Sequence, residues 1–169
     1  MAGKDDHPKS TGWQRLDGSA FALIYGSVMV LSILLATGAH PGAPFETGIV
    51  LFGSVLAITL AKAFAELMAH ALDTGERIDR KGWAAAWAHS YPTLAVANLP
   101  TLFFFASAAG WLSIETAILV SQALCIGLLA FLGARVGWVI DAKASSTVLG
   151  ALFAGGIGVA LSVLKVLIH

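Results

Sequence analysis

The sequence predicts an all-α polytopic membrane protein: a bundle of five transmembrane helices with the N-terminus cytoplasmic and the C-terminus outside. Three observations carry that reading. Of the 169 residues, 57% are hydrophobic and only 12% charged, with a mean hydropathy of +0.81; a soluble domain carries about twice that charged fraction. The apolar residues gather into runs of roughly 20, the length at which a helix crosses the hydrocarbon core. The clusters of lysine and arginine fall at alternate connections, which sets the direction in which the runs thread the bilayer. Ten basic and ten acidic side chains cancel, so nucleic acid is not an indicated partner; the lipid bilayer is.

Residues 1–17 form a polar tail of Gly, Pro and mixed charge. The first span, about 18–37, exceeds the apolar region of a signal peptide and has no small-residue cleavage site after it, so it is expected to stay uncleaved. Pro41, Gly42 and Pro44 make a stiff turn into a second span at about 45–72. A cytoplasmic connection, 73–90, follows, opening with the polar stretch DTGERIDRK. Trp83, Trp87 and Tyr91 recur at i, i+4 and i+8, one aromatic face of a helix. Such a face suits either a short interfacial helix near 82–90 or packing against neighbouring spans.

The third span runs over about 91–109. Pro92 costs little near its start, while Pro100 is expected to kink it. After the Gly110-Trp111 turn come a fourth span, about 113–140, and a fifth, about 147–168. Lys4, Lys9 and Arg15 precede the first span, Arg77, Arg80 and Lys81 follow the second, and Arg135 and Lys143 flank the turn from fourth to fifth. The connections at 38–46 and 109–113 hold no Lys or Arg, so the tail is expected inside. Small residues recur every four positions at Gly133 and Gly137 and at Gly150, Ala154 and Gly158. In lipid such faces let backbones approach closely, either within the bundle or along the seam of a homo-oligomer. The single Cys125 lies in an apolar run and reads as a small packing group.

Chemistry concentrates on the second span, where Lys62, Glu66 and His70 stand at successive i, i+4 steps on one helix face. With the cytoplasmic boundary near Leu72, Lys62 is expected about 15 Å inside it. Ionisable groups at that depth are costly and mark candidate functional positions. In one reading Lys62 and Glu66 are a structural ion pair and His70 meets headgroups. In the other, Glu66 binds a proton or a cation, Lys62 tunes its ionisation, and Asn98 and Gln122 line a path with it. Asp73, Glu76 and Asp79, with His70 and His89 nearby, form a weaker candidate for a divalent metal. There Arg77, Arg80 and Lys81 are interleaved and Gly75 interrupts the helix, which favours a solvated loop. No H-E-x-x-H, phosphate loop or supported Ser/His/Asp set occurs, so an enzyme is not expected, and no motif requires a cofactor.

The stretches IYGSVMVLSILLA (24–36), AKAFAELMAH (61–70) and LKVLIH (164–169) resemble a largely uncharacterised family of small bacterial integral membrane proteins common in actinobacteria. That family often has A-H-x-Y-A-E in the second span; here Lys62 stands for the His and Phe64 for the Tyr, with Glu66 kept. More distantly, the layout resembles the vacuolar iron transporter family, which has five spans, an internal N-terminus and a cytoplasmic metal-handling segment between spans two and three. Here that segment is a short polar loop, and Lys62 falls where a transporter would carry an acidic residue. The resemblance implies an ion or metal-ion transporter-like protein of the inner membrane, taking protons or divalent cations at Glu66. The alternative is a non-transporting membrane subunit or scaffold that acts through its helix contacts.

Overall fold

A computed structural model describes residues 12–37, 42–75 and 77–168, and side-chain surroundings over 19–37, 42–75 and 77–163. Among the described residues the chain forms five α-helices: α1 (Gly12–Thr37), α2 (Pro44–Thr74), α3 (Arg80–Ala108), α4 (Ile114–Asp141) and α5 (Ala144–Ile168). Four of them are long and apolar enough to cross a membrane, α1 over Ser19–Thr37, α2, α4, and α5 over Ala144–Val163. α3 has the length, but Pro92, Asn98 and Pro100 dilute its apolar character, and it is not among the four.

The helix ends follow from local chemistry. Pro44 opens α2, where its missing N–H and fixed φ cost nothing. Gly75 closes α2 in the left-handed region (φ 67°), its N–H donating to Ala71 O. Asp79 then caps α3, its Oδ1 accepting from Gly82 N–H at 2.7 Å. Ser113 caps α4 in the same way through Thr116 N–H. Two expectations change here. Residues 82–90 are not a separate helix: they are the opening turns of α3, which continues through Pro92 and Pro100. α1 also begins at Gly12, inside the segment read as tail.

Helices in lipid gain little from hiding apolar groups, so close backbone contact decides who packs on whom. α2 and α3 form one antiparallel hairpin and α4 and α5 another, with α1 against α3 and α4. The main core joins Val30, Leu31 and Leu34 of α1, Leu51 and Val55 of α2, Phe104 of α3 and Leu129 of α4, each at most 2% exposed. A separate small cluster, Ala63, Leu67 and Ala86 with Met68 and Trp87, lies between the end of α2 and the start of α3. Some interior hydroxyls bond within their own helix, Ser27 to Leu23 O and Thr59 to Val55 O, both at 2.8 Å.

α1 meets α3 at Gly26. A Cβ there would lie 2.8 Å from Thr93 O and 3.2 Å from Thr93 Cα, both backbone atoms that cannot move aside cheaply. Gly26→Leu is therefore expected to lower stability by about 2 kcal/mol or more. Gly53→Leu should do little, because nothing lies within 4 Å of that position. Thermal unfolding of the two variants in the same detergent checks this.

Candidate functional site

Beside the small cluster lies a polar layer built from three helices. α2 contributes Lys62 and Glu66, placed one above the other by their i, i+4 spacing. α3 contributes His89, Ser90 and Thr93, which the antiparallel hairpin brings opposite, since Glu66 and His89 are nearly equidistant from the connection at 75–79. α1 contributes Phe21, which stacks on Tyr25 with ring centroids 6.1 Å apart.

Glu66 is the hub. Its Oε1 lies 3.7 Å from Lys62 Nζ and 3.9 Å from His89 Nε2, and Ser90 Oγ donates to Oε2 at 3.5 Å. The first two separations are ion-pair contacts rather than hydrogen bonds, and the third is at the long end of hydrogen bonding. Glu66 and His89 are reachable from outside, with side chains 32% and 57% exposed. Lys62 is not: its Nζ is buried and has no hydrogen-bond partner among the described residues. Its ammonium instead sits 5.0 Å from the centre of the Phe21 ring, a cation–π contact. Thr93 Oγ1 donates to Ala22 O at 3.3 Å and ties the layer to α1.

With a neutral His89, Lys62 and Glu66 balance; a protonated His89 would add a second cation beside one carboxylate. The arrangement presents Glu66 and His89, but not Lys62, to the outside. It repels a bare divalent cation through the Lys62 ammonium beside the carboxylate.

Other candidate residues are placed elsewhere. His70 is exposed, beyond the layer. Asn98 is exposed on the far side of α3 and Gln122 is half-buried on α4; among the described residues no hydrogen bond joins either to Glu66. The polar path that would link them to Glu66 is therefore not formed in this state. The continuous helix on which Asp73, Glu76 and Asp79 could have shared a face is interrupted, because α2 ends before Gly75 and Asp79 caps α3. Glu76 lies outside the described residues. His89, grouped with those carboxylates by sequence, turns to Glu66 instead. Among the described residues no group of three or more His, Cys, Asp or Glu side chains gathers as a metal site.

The packing residues Gly133, Gly137, Gly150, Ala154 and Gly158 meet between α4 and α5. A Cβ on Gly133 would strike the Gly150 carbonyl and lie 2.6 Å from Ala154 Cβ, and one on Gly137 would strike the Ser146 carbonyl. Gly158 is less confined, facing the movable side chains of Ile126 and Leu129. Sequence reasoning missed Phe21, Ser90 and Thr93. Ser90 was within reach of a hairpin argument, whereas nothing in the sequence aims Phe21 at Lys62. No protein-family model, no curated protein and no solved structure matches the chain.

Proposed function

We propose that the chain is a five-span protein of the bacterial inner membrane, N-terminus cytoplasmic and C-terminus outside, which works as a non-transporting membrane subunit. The joined ends of α2 and α3 are its cytoplasmic face. The depth of the polar layer supports this. The polar residues WQRLD (13–17) directly precede the apolar run of α1, and Lys62 lies over Phe21; on this reading Lys62 sits at the hydrocarbon boundary rather than about 15 Å inside it. Tyr91, which follows Ser90 of the layer, fits the same level, where aromatic side chains collect. Glu66, His89 and the rest of the hairpin then stand among headgroups and in the cytosol.

One observation carries the function. Lys62 and His89 both lie against Glu66 at this end, while the bundle beyond is closed by Val30, Leu31, Leu51, Val55, Phe104 and Leu129. A charge entering that apolar interior would lose its solvation without a partner. Purified protein in proteoliposomes is expected to pass no protons, iron, manganese or zinc above empty vesicles. Flux that Glu66→Gln abolishes in a folded variant would overturn this reading.

The transport reading draws on one feature. Thr101 Oγ1 and Ser121 Oγ are buried without a hydrogen-bond partner among the described residues, so the interior offers polar groups that a hydrated state could use. It makes Glu66 the proton- or cation-binding group, and the same flux experiment decides between the two.

A further inference from the structure

The end of α2 and the start of α3 enclose a cleft that the Glu66 site does not use. Leu67 belongs to its apolar floor. His70, Arg77 and Lys81 line it from three separate segments: the last turns of α2, the connection and the first turn of α3. The carboxylate on its wall, Asp79, is engaged in capping, its Oδ1 accepting from Gly82 N–H at 2.7 Å. Among the described residues no carboxylate lies within ion-pair distance of Arg77 or Lys81. Among the described residues two cations, one capping carboxylate and an imidazole therefore face one concave space, with basic groups in excess.

That combination selects for an anion of concentrated charge. A guanidinium offers paired N–H donors that match two oxygens of a phosphate, and an ammonium adds a point charge that tolerates several approach angles. A divalent cation is excluded by like charge. Ile78 and Trp83 stand 52% and 41% exposed beside the cleft, so an apolar shelf adjoins the cations, as a membrane-surface site for an amphiphile requires. We infer that this cleft binds a phosphate group, carried either by an anionic phospholipid headgroup or by a soluble phosphate compound. The assignment does not depend on whether the bundle conducts ions.

The test uses the full chain in neutral detergent, titrated by calorimetry with dioctanoyl phosphatidylglycerol, dioctanoyl phosphatidylcholine and inorganic phosphate. Wild type is compared with Arg77→Gln/Lys81→Gln and with Lys143→Gln, a basic residue on the α4–α5 turn, already paired with Asp141 at 3.1 Å. The three substituted positions are exposed, and thermal unfolding confirms that the variants are folded. Saturable binding of phosphatidylglycerol over phosphatidylcholine is expected, weakened about 30-fold by removing two cations and left within about twofold by Lys143→Gln. That result assigns the phosphate to a lipid. The same dependence with inorganic phosphate alone assigns it to a soluble compound. Absence of saturable binding by every probe, or equal binding by wild type and the double variant, overturns the inference.

Discussion

Gly133→Leu and Gly150→Leu are expected to separate α5 from the rest of the bundle. α5 packs mainly against α4, and most of its surface is apolar and outward-facing, including Leu149, Leu152, Phe153 and Val163. Lipid solvates those side chains as well as protein does, so the association rests on close backbone contact. At Gly133 and Gly150 each missing side chain points at the other residue's carbonyl. Neither backbone can yield without moving its whole helix. Any side chain at either position should cost about 3 kcal/mol or more, at the upper end of overpacking penalties. Gly127→Leu and Gly156→Leu are the controls, on the same two helices with nothing within 4 Å. They should unfold like wild type, whereas Gly133→Leu and Gly150→Leu should lose most of the folded, monodisperse fraction in detergent. Equal behaviour of all four would mean that α4 and α5 do not pack through this face.

The second large effect concerns Lys62 and Glu66. Removing one member of a buried pair leaves the other without its counter-charge, which costs about 3–5 kcal/mol when both are fully buried. Glu66 is 32% exposed, so screening reduces this, and Glu66→Ala is expected to cost about 1–2 kcal/mol. Lys62→Met, which keeps the length and removes the ammonium, should be neutral or stabilising. In the Lys62→Met background, Glu66→Ala should cost less than about 0.5 kcal/mol. The double-mutant cycle by chemical or thermal unfolding therefore yields a coupling of about 1 kcal/mol or more. Additive effects would show that Lys62 is held by Phe21 and burial rather than by Glu66.

Much of the architecture was legible because it follows from length and local chemistry. Long apolar runs gave the helices, Pro44 and Gly75 gave the ends of α2, and the i, i+4 step gave the Lys62–Glu66 pair. The four-residue spacing of Gly133, Gly137, Gly150 and Ala154 gave the face on which α4 and α5 meet, but not whether the contact is internal.

The rest depends on how each helix is rotated. Pattern fails there because these helices are apolar on nearly all sides and carry little inward–outward contrast. Asn98 illustrates this: a polar residue beside Pro100 invites an interior role, yet it faces outward. His89 illustrates the converse. Read as part of the 73–90 loop it belonged with Asp73 and Asp79, but the continuation of α3 back to Arg80 moves it opposite Glu66. The contact between Lys62 and Phe21 joins distant parts of the chain, and only the packing of α1 creates it.

The depth of the Glu66 layer is tested most directly by thiol accessibility along the exposed side of α2. In a Cys125→Ala background, single cysteines replace Val50, Leu60, Phe64, Ala69 and Leu72, all exposed on the isolated chain. Inside-out vesicles are treated with a membrane-impermeant maleimide. Fast labelling is expected at Ala69 and Leu72, intermediate labelling at Phe64, and protection at Leu60 and Val50, with Glu66 then at the cytoplasmic surface. Protection extending through Ala69 would bury Glu66 in hydrocarbon, and labelling of Leu72 only from the opposite face would invert the protein; either result contradicts the reading of this end as a cytoplasmic face.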